Sequence, residues 1–324
     1  MFLMRFDMRA PGGGAEEKRD LYRAAIEMAA WGEKHGCSSV VVCEHHASPD
    51  GYLPSPLVLA SAMAARTTTL PIQVAAILIP FYDPIRLAED MAVLDIVSEG
   101  RVSYVCGLGY RPEEYAMFGV PMKGRGRHMD KCMDALRKSW AGEPFEFEGR
   151  PVHVTPTPLT AGGPPLLMGG NSRAAARRAA RFGMGLLAQG GDQSMEQVYR
   201  EECEKLGVEP GMCIVPPDGI ITCGVIAEDP DRAWQEFGPH MLHDATVYAK
   251  WNQGYLSAPI SRATSIDELR AQGGPYAILT PDQAVDYIKK NGFLLMQPLV
   301  GGTPPELAWK SLELLAGEVL PAVT

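Results

Sequence analysis

Short apolar runs alternate with amphipathic helical segments along the whole of this chain, and that rhythm restricts its fold more than any single motif does. Strand-like runs fall at 2–8, 40–43, 72–79, 101–106, 166–168, 185–188, 219–227 and 293–299. Helical periodicity follows at 20–35, 55–66, 84–97, 127–140, 172–182, 195–206, 230–251, 281–291 and 305–319. In the first helix Leu21, Ala25, Met28 and Ala29 share one face, and Gly36 stops it. Eight strands, each followed by helix, predict an α/β TIM barrel of eight β/α units with insertions; a doubly wound open sheet would stop nearer six. Two stretches break the rhythm. Residues 145–154 alternate around Glu148 and Gly149, which predicts a small hairpin outside the main sheet, an insertion over 143–160. Residues 252–274 are polar and irregular and read as an insertion or lid. No linker rich in Pro, Gly or Ser divides the chain, so a single domain over 1–324 is expected.

Composition narrows the function classes. The chain has 324 residues, 46% of them hydrophobic, enough for a sizeable core. Net charge is −9 and the sequence pI about 5.3, with no basic stripe, so nucleic acid is not an expected partner. Seven cysteines are scattered without a CxxC pair, and the odd number argues against a disulfide framework. A reducing, cytoplasmic location is expected. The first residues lack the apolar core of a signal peptide, and no apolar run approaches the ~18 residues of a membrane helix.

The chemistry is concentrated at strand ends. Val40–Val42 run straight into Glu44, His45 and His46. The C-terminal ends of barrel strands are where active sites form, and an imidazole there can move protons near neutral pH. Side chains alternate along a strand, so the two histidines should point in different directions; either at least one of them is functional or they are hydrogen-bonded structure of the barrel rim. Ala75 and Ala76 are small for a barrel strand, which tight packing alone would explain. Gly107, Leu108, Gly109, Tyr110 and Arg111 follow the fourth strand. The glycines permit unusual dihedrals and close ligand approach, or serve a turn; the dinucleotide fingerprint is not completed. Gly169, Gly170, Asn171, Ser172 and Arg173 open a helix either as an anion site, where helix N–H groups, a hydroxyl and a guanidinium converge after two glycines, or with Ser172 as an ordinary N-cap. Gly301, Gly302 and Thr303 form either a second phosphate loop or the last tight turn. His240 and His243 are three apart on a helix, but the first strand offers only Asp7 and Arg9, so a metal-dependent hydrolase is not expected.

Taken together, EHH, SPLVLASAMAARTTT and VAAILIPFYDPIRLAEDMAVLDIVSEGR resemble the bacterial luciferase-like flavin-dependent monooxygenases, most densely over 40–119 and more loosely through MGGNSRAAARRAARFG. The resemblance implies a flavoenzyme that takes reduced FMN, supplied in trans by a separate flavin reductase, and uses oxygen on a small-molecule organic substrate. It implies that His45 is the catalytic histidine facing the flavin. Ala75 and Ala76 match a pair joined by a cis peptide beneath the flavin ring. Gly107, Leu108 and Gly109 match a segment lining the flavin, and Asn171 and Ser172 match the phosphate-contacting segment, flanked by the Gly170 and Arg173 of the anion-site reading. Two positions depart from luciferase: Leu108 stands where it has a phosphate-binding arginine, and Gly107 where it has a reactive thiol. Arg173 or Arg111 would then supply the charge, and light emission is not implied. The family also holds deazaflavin-dependent, hydride-transferring enzymes, so that coenzyme is an alternative, as is a flavin-binding protein without turnover. A homo-oligomer is expected.

Overall fold

The computed structural model describes residues 1–190, 192–217, 219–252 and 261–323. Its strands, in chain order, are β1 (Phe2–Phe6), β2 (Cys37–Val42), β3 (Ile72–Leu78), β4 (Val102–Gly107), β5 (Phe145–Phe147), β6 (Arg150–Val152), β7 (Leu166–Gly169), β8 (Gly185–Leu187), β9 (Cys213–Ile214), β10 (Cys223–Ile226), β11 (Tyr276–Leu279) and β12 (Leu294–Met296). The chain divides into two compact units, one of residues 1–41, 48–54 and 217–324, the other of residues 42–47 and 55–216.

In the first unit the strand order is β11-β10-β12-β1-β2. β1 pairs in parallel with β12, placing Phe2 beside Leu294 and Met4 beside Met296. Phe2, Met4 and Phe6 are fully buried, as alternation along a strand with one inward face requires. A long helix, Pro230–Trp251, is started by Asp229, whose carboxylate accepts from the N–H groups of Asp231 and Arg232, with Pro230 in the first turn. Its Trp234, Phe237 and Met241 pack with Val225, Tyr276, Ile278 and Val300 in one apolar cluster.

In the second unit the order is β3-β4-β7-β8-β9, all parallel. The register of β3 on β4 slips between Ala75 and Ile77, so that Ala75 faces Val105 but Ile77 faces Cys106. The string DPIRLAEDMAVLDIVSEGR is scaffold. Asp83 caps the helix Pro84–Ser98 through the N–H groups of Ile85 and Arg86. Asp95 is buried and accepts from Thr160 N at 2.7 Å and Thr160 Oγ1 at 2.9 Å. Arg101 gathers the carbonyls of Ala64 and Leu70, each at 2.9 Å, which fixes the end of the helix Pro56–Arg66. β5 and β6 form the separate antiparallel hairpin, turned by Glu148 and Gly149, both with positive φ.

Two short strands, β9 and β11, and two six-residue helices, Pro112–Met117 and Ile266–Ala271, add to the rhythm read from the sequence. Each is too short to show a period. The supposed lid is therefore partly regular: Trp251 ends the long helix, Ser265 caps Ile266–Ala271, and residues 253–260 lie outside the described residues. Among the described residues no helix is long and apolar enough to cross a membrane.

Candidate active site

The polar trio after β2 lies in the second unit and is buried, with His45 8% exposed. Each imidazole has its own carboxylate. His45 Nδ1 lies 2.9 Å from Glu114 Oε1, and His46 Nε2 lies 2.8 Å from Glu44 Oε1. The two rings diverge, as strand alternation demands. Glu44 also accepts from Leu78 N at 2.8 Å and from the Tyr82 hydroxyl at 2.9 Å. Burial pushes the Glu44 carboxyl up, against those hydrogen bonds. The His46 ring meets Phe118 and Phe81 edge-on, so this side chain is part of the packing.

The His45 side is built differently. Glu114 comes from the short helix Pro112–Met117, and its Oε1 also accepts from His46 N at 2.9 Å and Arg111 Nη1 at 3.2 Å. Arg111 Nη1 reaches the His46 carbonyl as well, at 2.5 Å. Burial alone would raise the Glu114 carboxyl, but the bond to His45, the His46 N–H and the arginine charge hold it below the usual carboxylate range. An ionised Glu114 makes His45 Nδ1 the donor, which places the lone pair of the neutral ring on Nε2. Glu114 Oε2 is buried without a hydrogen-bond partner among the described residues. Tyr110 meets the His45 ring edge-on at 5.7 Å, and Ala47, immediately past the histidines, holds a left-handed φ of 48°.

Nothing in the sequence singles out Glu114. It stands 69 residues from His45, and the helix carrying it is one and a half turns long. The only local sign is Pro112, a favoured first-turn residue, directly after the glycine-containing strand end.

The small residues form a ledge. The Ala75–Ala76 peptide is cis. Both alanines are partly open, whereas Val74 and Ile77 on either side are fully buried. A Cβ added at Gly107 would lie 2.8 Å from Ala76 Cβ, so glycine there is what lets the two strands meet. Leu108, Gly109 and Tyr110 are also partly open; the Tyr115 hydroxyl donates to the Leu108 carbonyl, and Gly109 has a φ of 73°.

At the end of β7, Gly170 has a φ of 137° and donates its N–H to the Leu187 carbonyl at 3.1 Å. Asn171 bridges to the next strand's loop, accepting from Gln189 N at 2.6 Å and donating to the Gly190 carbonyl at 3.2 Å. Ser172 caps the helix Arg173–Arg181 through Ala175 N. Arg173 turns to the neighbouring helix, pairing with Glu202 at 3.0 Å and Glu201 at 3.5 Å. Arg177, Lys205 and Arg173 together bring the Glu202 carboxyl down to about 2. Both arginines considered as phosphate partners, Arg111 and Arg173, are thus engaged with carboxylates. In the first unit, a Cβ at Gly301 would collide with the His240 carbonyl; this glycine pair is a packed turn rather than an open loop.

The chain matches the profile described as luciferase-like monooxygenase over residues 2–290. It is 27% identical over 174 residues to the alkanal monooxygenase alpha chain of Photorhabdus laumondii, covering 52% of this chain and 48% of that one. The chain spans about half the length of the curated relatives it matches. Among solved structures, monooxygenase RslO1 from Streptomyces bottropensis superposes with a TM-score of 0.78 at 23% identity, covering 100% of both chains. The oxygenating constituent of 3,6-diketocamphane monooxygenase from Pseudomonas putida, in complex with FMN, superposes at 0.73 with 19% identity, covering 100% of this chain and 99% of that one. These likenesses identify the fold as the luciferase-like TIM barrel.

Proposed function

Because the chain belongs to the luciferase-like monooxygenase family, we propose that it is the oxygenating member of a two-component flavin system, taking reduced FMN from a separate reductase and using oxygen on a small organic substrate. The observation that carries this reading is His45, held by the ionised Glu114 beside a ledge of partly open small residues. The ledge suits a flat ring: Ala75, Ala76 and Gly109 put little side-chain bulk there, and Val74 and Ile77 beside the alanines are fully buried. The likeness to an FMN-bound oxygenating constituent supports FMN as the group held there.

When bound, reduced FMN would supply the electrons for oxygen activation. The chain's own residues would do the rest. His45 would hold or deliver a proton at Nε2 while Glu114 fixes Nδ1. Leu108 and Gly109, anchored through Tyr115, would line the ring. Ser172 and the N–H groups at its helix start would receive the phosphate, with Gly170 and Asn171 shaping the loop. Arg173 would act only at a distance, being paired with Glu202.

Titration of the purified protein with FMN, riboflavin and the deazaflavin coenzyme, followed by oxygen uptake with chemically reduced FMN, tests the reading. FMN binding tighter than riboflavin, together with oxygen uptake, is expected. Binding of deazaflavin but not FMN would replace it with hydride transfer, and FMN binding without oxygen uptake would leave a non-catalytic flavin protein.

A further inference from the structure

One buried carboxylate beside the ledge has no part in the chemistry assigned to His45. Glu44 is 2% exposed, and both its oxygens are occupied. Oε2 accepts from Leu78 N at 2.8 Å; Oε1 accepts from the Tyr82 hydroxyl at 2.9 Å and lies 2.8 Å from His46 Nε2. Leu78 and Tyr82 bracket one short turn: Leu78 ends β3, Ile79–Phe81 form a single 3-10 turn, and Tyr82 follows it. The strand that Leu78 ends is irregular at the ledge. Ala75 faces Val105 and Ile77 faces Cys106, so Ala76 is the extra residue of a bulge, and Leu78 comes to lie opposite Gly107. The turn also reaches the other side of the ledge. A Cβ added at Gly109 would stand 3.4 Å from Phe81 Cζ, and the Phe81 ring meets that of Tyr115, whose hydroxyl holds the Leu108 carbonyl, at 4.8 Å. All of these residues lie in the second unit.

We infer that Glu44 is a positioning residue for the flavin ring: its grip on the Leu78 N–H keeps Ala76 bulged at the ledge, and its hold on the turn seats Phe81 against Gly109. The role rests on the oxygenase reading, which supplies the flavin. A bulge leaves one residue without a partner across the ladder, and a strand returns to even register unless its end is fixed. The buried Leu78 N–H needs an acceptor, and Glu44 Oε2 supplies one from outside the ladder. A side chain serving packing alone would be apolar here, because burying a carboxyl group costs free energy that only its hydrogen bonds offset. The grip does not depend on charge. Burial pushes the Glu44 carboxyl up, and a proton on Oε1 would still leave Oε2 an acceptor. The three partners also differ in kind. The Tyr82 hydroxyl and the His46 ring can each accept as well as donate, whereas the Leu78 N–H can only donate. An amide in place of the carboxyl therefore satisfies all three by giving its oxygen to Leu78.

The test uses the full chain, wild type and three variants: Glu44→Ala, Glu44→Asp and Glu44→Gln. Dissociation constants are measured for FMN and for riboflavin, and spectra of protein labelled in its alanine methyl groups follow Ala75 and Ala76 without flavin. Glu44→Ala should weaken both flavins by the same factor, ~10-fold, the size of one lost hydrogen bond to a buried group, and shift both methyl signals. The factor is shared because the ledge meets the ring and not the phosphate. Glu44→Asp keeps the charge but falls a methylene short of Leu78 N. It should behave like Glu44→Ala, and it stands in for that variant if the alanine form does not fold. Glu44→Gln, the conservative variant, should rescue both affinity and methyl signals. With a wild type that binds flavin, a lower thermal midpoint in Glu44→Ala with affinities and methyl signals unmoved makes Glu44 a packing residue and overturns this inference alone. A loss confined to FMN overturns it too, as does a Glu44→Gln that fails as badly as Glu44→Ala. A wild type that binds neither flavin overturns both this inference and the oxygenase reading.

Discussion

One oxygen atom, Oε1 of Glu114, joins His45, the backbone of His46 and Arg111. Replacing His45 by Ala should leave the fold intact and cut turnover ~10²-fold or more, as for loss of a general acid or base, which steady-state rates would check. Glu114→Gln should lower turnover with FMN affinity unchanged, because it disturbs the tautomer and not the ledge; a parallel loss of affinity would make Glu114 a packing residue. Ser172→Ala should weaken FMN while leaving riboflavin nearly indifferent, and cost only about 1 kcal/mol of stability as a lost cap. Equal losses for the two flavins would reduce Ser172 to a cap. His45 and the glycine strand end stand out in the sequence because strand ends are local signals, whereas the paired alanines, which packing alone would explain, stand out only through the family resemblance. The partners do not stand out. Glu114, and the Asp50 and Asp244 that grip Arg9, are brought in from distant segments, so Arg9 reads in sequence only as a poor metal-site neighbour.

At the scale of elements, the legible parts are those with a full period and a punctuated start. The helix Pro281–Asn291 has the predicted bounds, because Thr280 and Gln283 form a reciprocal capping box and Gly292 ends it. The helix Pro84–Ser98 depends on Asp83 in the same way. Asp83→Ala should cost about 1 kcal/mol, seen as a lower denaturant midpoint with unchanged slope. β9 and β11, of two and four residues, carry no such punctuation and emerge only from pairing with β8 and β10.

For the whole molecule, buried carboxyls set opposing pH responses. Burial first, then Asp244, pushes Asp7 from 3.8 up to about 6 against the pull of Arg9. Its protonated form is the one the fold favours. That contribution to stability is complete below 3.8 and is lost as pH rises through about 6. Glu114 runs the other way: its contribution is present above the ordinary 4.5 and lost as pH falls through its lower folded value. Wild type should therefore lose more thermal stability than Asp7→Asn between about pH 5 and about pH 7, and calorimetry at the two values would decide it. The pairing of Phe2 with Leu294 has a consequence in time. Residues 42–47 and 55–216 are all made before the ribosome reaches 217, so the second unit can close early. β1 must wait for β12. At the usual pace of translation, residues 217 to 296 take roughly 4–16 s to make. Through that interval an apolar strand edge is held open on the nascent chain, which makes late synthesis the stage at which this protein most needs a chaperone.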